Sequence, residues 1–126
     1  MTQLLAGITV GIILFHTGAN APSIFKTLQA EDAGKLLRTL FPKFFKWLAA
    51  LGVATTVALV VGGDAGAMHL TASSLTVALP LLCLALIPAT NRAKDEGDSA
   101  TFKRLHTVSV VLTLIVLAAN LALPFI

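Results

Sequence analysis

His16, Asn20, Asn91, His106 and Ser109 are the residues of this chain whose types and spacing could do chemistry. A histidine can carry a proton near neutral pH, donate or accept a hydrogen bond, or ligate a metal. Asparagine and serine add neutral donors and acceptors. At about 100° per helical residue, Thr9, His16, Asn20 and Ser23 share one stripe, at spacings of 7, 4 and 3. His106, Ser109, Thr113 and Asn120 make a second, at 3, 4 and 7. Thr76, Pro80 and Cys83 align more weakly. Each stripe lies in an apolar segment, where an unpartnered polar group costs several kcal/mol. The stripes are therefore expected to face inward, toward one another.

Three chemistries are open to His16. A neutral ring bonded to Asn20, Ser109 or a backbone carbonyl would join two helices. A ring with an unspent nitrogen would bind a small molecule or handle an ion or proton. A ring paired with His106 could hold a haem iron, although His106 falls at the membrane edge and His16 deeper. A buried ionisable residue in a span is by default a functional hypothesis. One cysteine, Cys83, excludes an internal disulfide and any CxxC metal site. Asp95, Glu96 and Asp98 lack the glycine-centred spacing of a calcium loop. No GxSxG, Walker, HExxH or GxGxxG motif occurs. The sequence therefore predicts no catalytic residues, no enzyme and no metal site, and it names no cofactor.

The elements that must position these residues are legible in the charge pattern. All nine lysines and arginines occupy two windows. Lys26, Lys35, Arg38, Lys43 and Lys46 fill one; Arg92, Lys94, Lys103 and Arg104 fill the other. The chain as a whole is 56% hydrophobic, with a mean hydropathy of +0.89. Four spans are expected, at about residues 3–25, 42–62, 70–87 and 105–126, since about 20 residues cross a 30 Å core. The fold class is then an all-α four-helix transmembrane bundle forming a single domain over residues 1–126. The basic segments place loops 1–2 and 3–4 in the cytoplasm and both termini outside a cytoplasmic (inner) membrane. Cationic residues in this arrangement are topology signals, and nucleic acid is not an expected partner. A signal peptide is the rival reading of the first span, because Ala19-Asn20-Ala21 resembles a cleavage site. Met1-Thr2-Gln3 lacks the positive charge such a leader carries, so the span is expected to be retained.

Three finer features follow. From Asp32 to Phe41, apolar residues at 33, 36, 37, 40 and 41 predict a short amphipathic helix lying in the interface and ending before Pro42. Pro80 predicts a kink. Gly7, Gly11 and Gly18 lie opposite the polar stripe of span one, a face suited to close packing on another span or on a second protomer.

Gly18 to Phe25 (GANAPSIF), Ala33-Gly34 and Leu40 to Phe45 (LFPKFF) are followed by Pro88-Ala89-Thr90-Asn91 and Phe102 to Ser109 (FKRLHTVS). In order and spacing these runs resemble a family of small four-span membrane proteins. It comprises bacterial proteins and the animal transmembrane protein associated with cisplatin resistance. The resemblance implies a four-helix membrane bundle and marks Pro22, Phe25, Gly34, Phe41, Pro42, Asn91, Phe102, His106 and Ser109. For the animal relative, drug export aided by sulfur-bearing side chains has been proposed. Here Met1, Met68 and Cys83 are the only sulfur atoms, and Cys83 alone lies in a span.

The expected function is a non-enzymatic integral membrane protein. It would bind or pass a small molecule or ion at a polar pocket of His16, Asn20, Asn91, His106 and Ser109, near the cytoplasmic ends of spans one and four. The alternatives are a haem or redox protein using His16 and His106, or a structural membrane module. The expected partners are the lipid bilayer, a small-molecule or ion ligand, and further copies of the chain.

Overall fold

A computed structural model describing residues 1–126 resolves the apolar stretches as helices that outrun them at the charged end. The first span is α1 (Thr2–Phe15), one π turn (His16–Asn20) and α2 (Ala21–Thr27) in line. α3 runs Ala30–Gly62, α4 Ala67–Asp95 and α5 Ser99–Ala122, closed by a 3-10 turn at Leu123–Phe125. There are no strands, and all four helical units are long and apolar enough to cross a membrane. At 1.5 Å per residue the 33 residues of α3 reach about 50 Å, well beyond a 30 Å core.

The excess length is at the charged end. The segment expected to lie as a separate interfacial helix is the opening of α3, and Pro42 sits inside that helix without ending it. Its one-sided pattern holds: Ala33 and Leu37 are buried against Ile24 of α2, with Leu40 and Phe41 packed beside them. That contact keeps the segment in line with the span, and Pro42 removes only the N–H that the Arg38 carbonyl would receive. Likewise, residues Asn91 to Asp95, read from sequence as loop, are the last turn of α4. The connection to α5 is only Glu96 to Asp98, with Gly97 at φ 71°.

That short turn ends in a helix cap. The Asp98 carboxylate accepts the Thr101 backbone N–H at 3.1 Å. Bonds from Thr101 hold its carboxyl below the usual carboxylate range, with Arg104 adding a smaller attraction. A depressed folded-state value means the cap is fully present above the ordinary aspartate range and lost as pH falls through the depressed one. The protection factor of the Thr101 amide, which removes the intrinsic pH dependence of exchange, should therefore fall on acidification below that range. In Asp98→Asn, which caps without titrating, the fall should vanish; an unchanged pH profile in that variant would remove the cap from the explanation.

In the bundle α3 packs on α4, α4 on α5, and α1 bridges α5 and α3. Three layers follow one another along the axis. Farthest from the charged end, Ala6, Ala72 and Leu123 form a small apolar cluster. Next come Thr9, Thr55, Ser73, Thr76 and Asn120, all buried, with at least one from each long helical unit. The four hydroxyls bond carbonyls of their own helices at 2.8–3.2 Å. Asn120 Nδ2 crosses from α5 to Thr76 Oγ1 at 2.8 Å and also reaches the Val116 carbonyl at 2.9 Å. Below lie Ile13, Phe44, Phe45, Leu48, Cys83 and Val116, the main apolar core.

The close helix contact is not where the glycine face predicts it. Gly7, Gly11 and Gly18 are exposed, and a Cβ on any of them would meet nothing within 4 Å. α1 turns Ala6, Thr9, Ile13 and His16 inward, which leaves the glycines outside and rules out their packing on another span of this chain. Gly52 of α3 does that work instead. A Cβ there would lie 2.7 Å from the Thr76 carbonyl carbon and 2.8 Å from the Val77 nitrogen. Pro80, four residues on, cannot supply the N–H that would occupy the Thr76 carbonyl.

Candidate functional site

Local chain geometry places His16. The Ala21 N–H bonds the His16 carbonyl, an i to i+5 closure that inserts one extra residue into span one. Pro22 follows at once, with no N–H to give and a ring that would press on the carbonyl four residues back. The wider turn relieves that conflict. It also rotates everything after it by about 100° relative to an unbroken α-helix. Thr9 and His16 therefore face inward as their stripe predicts, while Ser23 has turned out and is exposed.

Within the turn, the Asn20 Nδ2 amide donates to His16 Nδ1 at 3.2 Å. An acceptor at Nδ1 is the tautomer that carries its proton on Nε2. The ring stacks on Phe44 at 4.4 Å and meets Phe41 edge-on at 5.4 Å. It is 7% exposed, and Nε2 has no hydrogen-bond partner. His16 thus presents one buried, unspent donor.

A cavity of about 640 Å³ opens beside it at the charged end of the bundle. Its walls hold four of the five residues singled out from sequence: His16, Asn91, His106 and Ser109. Asn20 is not in the wall; it acts by holding His16. The hydroxyls of Thr17, Thr90 and Thr113 line the same space but donate to carbonyls of their own helices. Apolar area comes from Ile13, Phe41, Phe44, Phe45 and Ile87. The opening of α3 closes one side through Gly34, Leu37 and Arg38.

Charge enters with one sign only. Arg38 and Lys94 line the cavity, and no carboxylate does. Arg38 pairs with Asp95 through both guanidinium nitrogens, Nη1 at 3.1 Å, and reaches the Asn91 carbonyl at 3.5 Å. Lys94 lies over the Phe102 ring at 5.1 Å and forms no ion pair. His106 is exposed at the rim, its ring parallel to Phe102 at 5.9 Å. Such a site can receive a partly apolar molecule that brings hydrogen-bond acceptors. It suits a haem poorly, because axial ligation needs a bare ring nitrogen and Asn20 leaves His16 Nε2 protonated.

Sequence reasoning missed the aromatic shelf, although the Phe44-Phe45 pair stood in the quoted run, and it missed both cations. The Arg38–Asp95 contact spans 57 residues and leaves no local signal. A second cavity, about 630 Å³, lies at the opposite end beside Gln3, Asp64 and His69.

The family described as "Domain of unknown function (DUF4149)" matches residues 4–99, from the first turn of α1 through the end of α4. An uncharacterized protein of Aquifex aeolicus (strain VF5) is 26% identical over 113 residues, covering 89% of this chain and 83% of that protein. No solved structure matches.

Proposed function

The chain belongs to the DUF4149 family, and from that premise we propose that this multi-pass membrane protein binds a small molecule in the cavity beside His16. The observation that carries the reading is the unspent His16 Nε2–H, on a ring that Asn20 holds and that lines a space large enough for a ligand. Small-molecule sites commonly run from about 300 to 1,000 Å³. An unpartnered buried donor costs about 1–3 kcal/mol, which a ligand acceptor would recover.

The role is binding or passage rather than catalysis. The membrane is the cytoplasmic (inner) one, with both termini outside and the cavity at the cytoplasmic face, as the nine basic residues at that end favour. Any passage across the bilayer would run through an oligomer assembled on the exposed face of Gly7, Gly11 and Gly18, since four spans enclose little volume. Kinship with the animal transmembrane protein associated with cisplatin resistance is part of this proposal. Platinum handling is not: Cys83 is buried in the apolar core, and Met1 and Met68 sit at the opposite end.

Native mass spectrometry of protein released gently from detergent tests the reading. One adduct per chain is expected, retained by the wild type and absent from His16→Ala and Asn91→Ala variants of unchanged helicity. An adduct indifferent to both substitutions would defeat it. A mass of haem with a Soret band lost in His16→Ala would replace it with the redox alternative.

A further inference from the structure

The order of chemical groups down the cavity wall suggests what occupies it. Arg38 and Lys94 stand at the cytoplasmic mouth, Lys94 without a counter-ion. Six residues of α3 separate Arg38 from Phe44, on which His16 stacks, or about 9 Å of helical rise. The His16 Nε2–H therefore waits one step deeper than the cations. Beyond it the lining is Ile13, Val110 and Leu114, with Thr113, whose hydroxyl is spent on its own helix.

The cavity also has a side opening. Val110 and Leu114 of α5 line it yet are 42% and 54% exposed, and Phe25 of α2 is 64% exposed. α2 leans on α3, which leaves the gap between α2 and α5 facing the bilayer. A molecule can enter sideways from the leaflet.

Resting on the reading of this cavity as a binding site, we propose that it holds one anionic glycerophospholipid from the cytoplasmic leaflet, its phosphate at Lys94 and Arg38 and an ester carbonyl on His16 Nε2–H. The vertical order of such a lipid is the order of the wall: anion at the surface, carbonyl acceptors a step deeper, acyl chains beyond. Basic pockets between spans on the cytoplasmic side are suited to anionic head groups. A volume of about 640 Å³ takes the head and upper chains, while the chain ends pass through the side opening into the bilayer. The absence of any carboxylate from the wall disfavours cationic and zwitterionic heads.

The test mixes delipidated, detergent-purified protein with equal amounts of phosphatidylglycerol and phosphatidylcholine of identical chains, with oleate in a parallel arm. Bound species are read by native mass spectrometry. The expected result is one phosphatidylglycerol per chain, preferred at least about tenfold. Lys94→Gln should cut that preference about fivefold, the effect of one surface cation near an anionic lipid. His16→Phe should cut total retention. Lys103→Gln, a charge change on an exposed residue outside the cavity, should alter neither. Circular dichroism and gel filtration confirm that each variant is folded.

Equal retention of the two lipids would overturn the anionic occupant while leaving His16-dependent binding in place. Oleate displacing phosphatidylglycerol would overturn the phospholipid and keep an anionic acyl ligand. Equal effects of Lys94→Gln and Lys103→Gln would mean lipid bound around the bundle, not in it. A His16-dependent adduct that is no lipid would refute this inference alone; no His16-dependent adduct at all would refute it together with the proposed function.

Discussion

Gly52→Ala is expected to destabilise the bundle by about 1–3 kcal/mol, the usual effect of forcing a methyl group into a filled contact. The added carbon would lie 2.7–2.9 Å from backbone atoms of Thr76 and Val77, and backbone cannot turn aside as a flexible side chain can. The α3–α4 crossing must open, and the Asn120–Thr76 bond sits at that crossing. Gly52→Val should prevent folding. The control is Gly11→Ala, where a Cβ meets open space and the only change is better helix propensity, worth up to about 1 kcal/mol. Unfolding by added SDS, followed by circular dichroism, compares the two. Equal midpoints for Gly52→Ala and Gly11→Ala would show that the crossing is looser than described. A Gly11→Ala variant that folds normally but no longer self-associates would support the oligomer face.

His16→Phe should move stability and binding in opposite directions. The phenyl ring keeps the stacking on Phe44 at 4.4 Å and the edge contact with Phe41, while the Nε2–H donor and the Nδ1 acceptor for Asn20 both disappear. Removing a buried N–H that has no partner recovers about 1–3 kcal/mol in the empty protein, against about 0.5–1.5 kcal/mol for the bond lost by the half-buried Asn20 amide. The same change takes away the one fully buried donor in the cavity lining that has no partner, and ligand retention should fall at least about tenfold. A helix-joining histidine predicts the reverse: loss of stability with no change in any bound species. Unfolding midpoints measured with and without the retained adduct separate the two. A His16→Phe protein that is both less stable and equally loaded would end the binding account.

The class of fold was legible because it depends on composition. Nine cations in two windows and four apolar runs leave a membrane bundle as the consistent answer, and the inward stripes of Thr9 and His16, and of Thr113 and Asn120, follow from helical periodicity alone. Periodicity failed where the helix changed its own period. Ser23 drops off the stripe because the π turn before Pro22 adds a residue, a compromise between one proline and its neighbours that no window average detects. Gly52 was overlooked because it is a lone glycine; Gly7, Gly11 and Gly18 drew attention by their spacing, which says nothing about what lies opposite. The cavity was half legible. His16, Asn91, His106 and Ser109 came from polar types in apolar or bounded positions, but the cations and the Phe44 shelf depend on which helices become neighbours.

The buried bond from Asn120 to Thr76 bears on how this molecule can move. Sliding α5 along α4 by one turn, about 5.4 Å, would strand an amide among hydrocarbon. Piston motion between these helices is therefore blocked at that depth, and the tight Gly52 contact pins the third helix there as well. Toward the charged end the restraints are different in kind. Pro22, Pro42 and Pro88 each delete a rung of backbone bonding, and the π turn is itself a soft joint. The bundle is thus clamped at one end and hinged at the other, like forceps, with the cavity between the tines.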